Sequence, residues 1–376
     1  MDHRSFLPRI GVLCASSAPR DSSRSGKQET PDVTATKIPR WRGFNLQAEL
    51  GHSRHPYAGS AFQEFDFAFM REWGFDFARL PLSYWMWGSP EDWTIVREEP
   101  LKQIDRAVEL GKQYGIHVNI NFHRIPGYCI NQRELEPADL FSDSADERER
   151  ALKAATYHWR VFAERYKEIP NHRLSFDLVN EPPKMRSNEG YLEKRYVETV
   201  QRLVKAIREV DPKRLIFADG MNLGQLPVLG IVDLGLVQST RGYQPKAISH
   251  YTATWVPLDE FEAMKPPTWP LADDKGRVWN REQLKRVYID SYKVLTDLHV
   301  KIHVGEWGCF NKTPHDVTLA WMKDCLSVWK EAGWGNALWN LRGSFGVLDS
   351  ERSDVKYEAF KGHRLDRQML ELLREY

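Results

Sequence analysis

Cysteine is scarce: Cys14, Cys129, Cys309 and Cys325 are the four in 376 residues, with no C-x-x-C spacing and no dense framework. That pattern argues against a disulfide scaffold and against a cysteine zinc site. No apolar run approaches the ~18 residues of a membrane-spanning helix, so no bilayer span is expected. Neither sign of charge dominates, since 53 Lys and Arg face 52 Asp and Glu for a formal net charge of +1. A basic nucleic-acid surface, an acidic tail and a polybasic membrane patch are therefore all missing. Internal repeats are not evident beyond an alternation of extended and helical stretches.

Aromatic residues, by contrast, are plentiful, with Trp 14, Tyr 14 and Phe 17, and a hydrophobic content of 41% is ample for a large core. The first forty residues differ from the rest. HRSFL (3–7) faintly resembles a twin-arginine export signal with His3 in place of one arginine, and IGVLCASSA (10–18) is a short apolar stretch. A Ser/Arg/Lys/Thr/Pro-rich segment follows to about Pro39. Residues 1–39 read as a leader plus linker outside the fold, which implies a secreted or periplasmic protein; a disordered tail on a cytoplasmic protein is the alternative.

From Trp41 onward, eight extended runs alternate with amphipathic helical stretches. The runs are WRGFNL (41–46), FDFARLPL (75–82), HVNINFH (117–123), RLSFDLVNEP (173–182), RLIFADG (214–220), LGLVQSTRGYQP (234–245), KIHVGEWG (301–308) and NALWNL (336–341). Helical spacing marks 62–74, 101–115, 146–167, 191–210, 281–299, 317–333 and 365–376, and several of these end at a glycine (Gly74, Gly111 or Gly115, Gly333). Eight strand–helix units make a (β/α)8 TIM barrel in one domain, residues 40–376. A doubly wound open sheet needs a Gly-rich phosphate turn after its first strand, and NLQAELGH (45–52) has none.

In such a barrel the chemistry sits at the C-terminal ends of the strands. Reading the last residues of each run collects Arg79, His123, Asn180, Glu181, Arg241, Tyr243, Glu306 and Trp339 on one rim. Two carboxylates delivered by separate strands are the equipment for breaking a glycosidic bond, provided their proton affinities are pushed apart. Arg79 beside Glu306 would keep that carboxylate charged as a nucleophile, with Tyr243 donating to it. Glu181, nearer apolar walls, would hold its proton as the general acid. Asn180 is placed for a sugar 2-hydroxyl and Trp339 for a platform under the sugar being cleaved. A metal-dependent hydrolase is the competing enzyme class, but His123 and His250 form no H-x-H pair on a strand. No metal or cofactor is expected.

RLPLSYW, NFHRIPGY, the N-E-P after strand four, G-E-W-G after strand seven and ALWNL after strand eight together resemble glycoside hydrolase family 5, from about Trp41 to the C-terminus. The resemblance implies a retaining double displacement, with Glu181 matching the family's acid/base and Glu306 its nucleophile. Arg79, His123, Asn180 and Trp339 match further functional positions. One departure stands out: the family usually shows His-x-Tyr after strand six, and here Arg241 precedes Tyr243, with His250 expected to return to the cleft from the following loop. The implied substrate is a β-linked polysaccharide or oligosaccharide, with an endo-β-1,4-glucanase favoured over a β-mannanase or β-1,3-glucanase. A weakened sugar-binding protein is the reading that Arg241 keeps open. Trp85, Trp87 and Trp93 in one loop and Trp255, Trp269 and Trp279 in another are expected to overhang the rim, some as sugar platforms and some as loop braces. A monomer without a separate carbohydrate-binding module is expected.

Overall fold

The computed structural model describes residues 33–47, 62–185, 190–255, 266–272 and 276–376. The leader-like residues 1–32 lie outside the described residues. Eight strands close into a barrel: β1 (Arg42–Asn45), β2 (Phe77–Ser83), β3 (His117–Arg124), β4 (Leu174–Asp177), β5 (Ile216–Asp219), β6 (Val237–Gly242), β7 (Ile302–Trp307) and β8 (Gly335–Leu338). Every strand pairs in parallel with its sequence neighbours, and β8 closes on β1 through Gly43 and Ala337. This is the TIM barrel that the alternation of runs implies.

Helices α1 (Glu64–Trp73), α2 (Glu98–Tyr114), α3 (Ala145–Tyr166) and α4 (Gly190–Arg208) follow the first four strands. The connection after β5 carries only short helical turns, Met221–Gly224 and Leu229–Leu234. Ahead of β7, α5 (Arg281–Lys285) runs through a π-helical turn (Arg286–Asp290) into α6 (Ser291–Asp297). Helices α7 (His315–Glu331) and α8 (Arg367–Glu375) complete the ring. Gly74 and Gly115 end α1 and α2 in the left-handed region (φ 84° and 67°), where a residue without Cβ is least strained. Gly111 lies inside α2 instead, facing β3 so closely that a Cβ would come within 2.5 Å of the Val118 side chain.

Side chains alternate between the two faces of each strand, and the two faces differ in kind. Outward residues such as Leu80, Ile120, Phe122 and Phe176 pack against the helices; the Phe122 ring stacks on Trp159 of α3 at 3.8 Å. Inward, the barrel floor is aromatic and imidazole: Phe77, His117, Phe217 and His303 meet there, and Trp41 stacks on His117 at 3.7 Å. Above that floor the interior turns polar, with Asn45, Arg79, Asn119, Ser175, Asp177, Asp219, Ser239 and Arg241 all buried. Branched aliphatic layers, the usual barrel filling, give way here to a hydrogen-bonded plug.

The described fold begins ahead of residue 40. Thr34 and Lys37 pair in a short bridge, and Val33 is buried in the floor cluster with Trp41 and Phe77. Strands β1 and β2 approach so closely that a Cβ on Gly43 would lie 1.7 Å from the Phe77 carbonyl oxygen. Backbone cannot swing aside as a side chain can. Gly43→Ala should therefore cost the upper end of the overpacking range, about 3 kcal/mol. Urea unfolding followed by tryptophan fluorescence would show a clearly lowered midpoint; an unchanged one would mean that the two strands separate without strain.

Candidate active site

Glu306 and Glu181 reach the same space by different routes. Glu306 lies within β7, where the register with β6 shifts between Thr240 and Arg241, so that Arg241 comes to lie beside Glu306. Gly305 before it leaves the needed room, since a Cβ there would come within 2.5 Å of the Ser239 hydroxyl oxygen and 3.0 Å of the Arg241 guanidinium. Glu181 follows the end of β4 by four residues, in a turn where its own backbone is left-handed (φ 47°). For a residue with a side chain that conformation is uncommon and costs energy.

Arg79 is the third residue of β2 and not its last, so it sits deeper than a strand-end reading implies. Its guanidinium is fully buried and shared four ways. Nη1 donates to Glu306 Oε1 at 2.6 Å and to Asn45 Oδ1 at 3.0 Å, Nε to Asp177 Oδ2 at 2.8 Å, and Nη2 to Asn180 Oδ1 at 2.9 Å. Arg241 is equally buried. It forks onto Asp219, with Nη1 2.9 Å from Oδ1 and Nη2 on Oδ2, and donates to Asn180 Oδ1 at 2.9 Å. It also touches both glutamates, Nε lying 3.2 Å from Glu181 Oε1 and Nη2 3.3 Å from Glu306 Oε1.

This arrangement separates the two carboxyl groups. Burial would raise Glu306, but Arg241 and Arg79 together outweigh it and hold that group below the ordinary carboxylate value. Glu181 has no direct contact with Arg79. Burial first and the charge of Glu306 second push it up to about 7, against the pull of Arg241. Its side chain keeps 17% exposure, open to the cleft. His123, at the end of β3, has Nδ1 4.0 Å from Glu306 Oε1, and burial lowers it to about 4, so it is neutral at working pH. The Tyr243 hydroxyl donates to Glu306 Oε2 over 3.4 Å. Asn180 spends its amide oxygen on the two arginines, while its buried Nδ2 meets no partner among the described residues.

A cleft of about 680 Å³ opens over the pair. Tyr243, His250, Trp255, Trp339 and Phe345 give it an aromatic part; Arg124, Asn131, Gln132 and Gln225 give it a polar one. His250 does return to the cleft, its ring 4.9 Å from Tyr243, and Trp339 lies over His123 at 5.6 Å. Of the six loop tryptophans, Trp255 lines the cleft, at 54% exposure. The others brace loops. Trp87 is buried and donates to His158 Nδ1 at 2.9 Å, Trp93 donates to the Tyr84 hydroxyl at 3.0 Å, and Trp85 covers the Arg124 guanidinium at 4.1 Å. Trp269 donates to Asp324 at 2.8 Å, and Trp279 is buried.

Sequence reasoning missed Asn45, Asp177 and Asp219. The signal available was a polar residue set within or near the end of an apolar run: N in WRGFNL, D in RLSFDLVNEP, D in RLIFADG. Among the described residues no group of three or more His, Cys, Asp or Glu is arranged to hold a metal ion.

Comparison with known proteins gives the family. The profile of the cellulase family (glycosyl hydrolase family 5) matches residues 31–344. Endoglucanase C of Acetivibrio thermocellus is 26% identical over 320 residues, covering 78% of this chain and 88% of that protein. Cellodextrinase A of Ruminococcus flavefaciens is 23% identical over 309 residues, covering 78% and 85%. A solved structure described as a glycoside hydrolase is 37% identical, with a TM-score of 0.81 over 89% of this chain and 99% of that one. With a family profile spanning most of the barrel and a glycoside hydrolase structure overlaying nearly all of it, the chain belongs to glycoside hydrolase family 5, the cellulase family.

Proposed function

We propose that this enzyme is a retaining endo-β-1,4-glucanase, with Glu306 as nucleophile and Glu181 as acid/base. The observation that carries the proposal is the unequal sharing of the two arginines: among the ion pairs of the described residues both hold Glu306, and Arg241 alone of the two reaches Glu181. One carboxylate is kept charged and the other kept protonated, the division of labour that double displacement requires. A single guanidinium touching both groups also favours the close retaining spacing of about 5–5.5 Å over the wider inverting one.

In the first step Glu306 attacks the anomeric carbon. Oε1 is engaged by both arginines, so Oε2, held only by the long Tyr243 contact, is the attacking oxygen. The glycosidic C–O bond breaks as the Glu181 proton passes to the leaving oxygen. A glycosyl ester on Glu306 results. Glu181, now a carboxylate, then takes a proton from water as that water attacks the same carbon, and Glu306 departs as carboxylate. The unpartnered Asn180 Nδ2 suits the sugar 2-hydroxyl, a contact that strengthens as positive charge develops on the ring. Trp339 suits the face of the same sugar, and Trp255 one farther along the cleft. Endoglucanase and cellodextrinase relatives support a β-1,4-glucan or its oligomers as substrate.

Glu306→Ala should lose nearly all turnover while remaining folded, because no neighbour can replace the nucleophile. Added azide should restore cleavage and give a glycosyl azide of inverted anomeric configuration. Retention of more than about a tenth of the rate, a loss of only ~1.4 kcal/mol, would remove Glu306 from this role.

The profile of kcat/KM against pH should be bell-shaped. Glu306 must be ionised, and its lowered pKa sets the acidic limb below the ordinary carboxylate value of 4.5. Glu181 must be protonated, so the basic limb falls near its value of about 7. An optimum on the acidic side of neutral follows, and a basic limb that persisted unchanged in Glu181→Gln would assign it to another group.

Endo action on β-1,4-glucan should lower the viscosity of a soluble cellulose derivative well before reducing ends accumulate. Release of a single product length from chain ends, or faster cleavage of β-mannan or β-1,3-glucan in the same panel, would reject the substrate and mode proposed.

A further inference from the structure

The turn carrying Glu181 is pinned from three sides. The Tyr128 hydroxyl donates to the Glu181 carbonyl at 2.6 Å, the Leu223 N–H donates to the Pro182 carbonyl at 3.0 Å, and the Glu181 N–H donates to Asp219 Oδ2 at 2.8 Å. The first two partners are neutral. Asp219 brings a charge, and the same carboxylate forks onto Arg241. It is fully buried at the end of β5, where the Tyr196 hydroxyl of α4 fixes its own carbonyl at 2.7 Å. So one carboxylate grips both the peptide that carries Glu181 and the only cation that touches the Glu181 side chain among the ion pairs of the described residues.

We propose that Asp219 is a positioning residue for the acid: it fixes the Glu181 peptide and engages Arg241 so that the guanidinium does not draw the proton off Glu181. The inference rests on the reading of Glu181 as acid and Glu306 as nucleophile.

Charge accounting around Glu181 gives the sign. Glu306 faces it from β7, Arg241 from β6, Tyr243 from just beyond that strand, and Asp219 from β5. Arg79 faces it from β2, and Tyr128 and Cys129 from the loop after β3. Asp219 in turn faces Arg241, Arg79 and Asp177, with the Tyr196 and Tyr292 hydroxyls nearby. Taking away the Asp219 charge leaves Arg241 to be balanced by the two glutamates alone. The ionised form of Glu181 then gains, and its proton is lost at lower pH. The left-handed turn also loses a charge-assisted tie on its N–H.

Asp219→Asn keeps the shape and removes the charge. The basic limb of its kcat/KM profile should move down by about one pH unit. Cleavage of cello-oligosaccharides, whose leaving group needs a proton, should fall by more than about tenfold. A dinitrophenyl β-cellobioside, whose leaving group needs none, should be cleaved at nearly the wild-type rate. Loss of fold precision alone would slow both substrates alike and leave the limb in place, and that result overturns the proposal.

A neutral pair removes the hazard of a lone buried cation. Arg241→Gln should move the limb upward, and adding Asp219→Asn to it should move the limb down by less than the same change does in the wild type, because the cation that Asp219 engages is gone. An equal downward shift in both backgrounds would reject the engagement of Arg241. Glu181→Gln and Glu306→Gln are measured alongside: wild-type turnover in either refutes the acid–nucleophile reading itself. Both inactive, with the limb unmoved in the Asp219 variants, refutes only the assignment of Asp219.

Discussion

Two guanidinium groups buried in one layer of a barrel set the terms for everything around them. An arginine does not shed its proton in a protein, and an uncompensated buried charge is costly. The layer must therefore supply anions, and it does so through Asp177 for Arg79, Asp219 for Arg241, and Glu306 for both. Those three carboxylates are tied up in holding the cations. Glu181 stands at the edge of the group, reached by one long contact and open to the cleft. It is the member that can stay protonated, because the charge balance does not need it. The arginines, in this sense, set which of the two carboxyl groups holds its proton more tightly.

Filling the interior this way moves the source of stability outward. Bulky apolar side chains lie between strands and helices, where Trp159 stacks on Phe122 and meets Phe176 at a tilt. Close approaches inside are met by absent side chains, as at Gly43 between β1 and β2 and Gly305 beside Arg241. A barrel built so can hold many hydrogen-bonding groups at its centre without forfeiting its apolar core, since the two occupy different faces of the same strands.

The architecture was legible because period and punctuation agree: eight extended runs, helical spacing between them, glycine at helix ends. Glu181, Glu306, Asn180 and Trp339 were legible as polar or aromatic residues closing apolar runs. Arg79 was found, but its depth was not, because a strand's last residue cannot be told from its third without the pairing register. Asp177 and Asp219 escaped since a lone aspartate closing a run looks like an ordinary strand terminus until its arginine partner, on another strand, is seen beside it. Which of the loop tryptophans brace and which line the cleft was not legible, for a related reason. An indole that donates to His158 or Tyr84 and one that lines a cleft have the same composition, and only tertiary contact separates them.

The floor of the barrel has its own consequence. His117 and His303 are enclosed by Trp41, Phe77 and Phe217, and burial depresses both to about 3, far below the 6.5 of an exposed imidazole. Each stays neutral in the folded protein and gains a proton when the chain unfolds below pH 6.5. The unfolded state then binds more protons, so stability declines as the solution is acidified, by about 1.4 kcal/mol per pH unit for each such histidine. The decline runs from about 6.5 down to about 3. On the acid side, then, the fold itself is weakened by proton uptake at the far end of the barrel from the carboxylate pair.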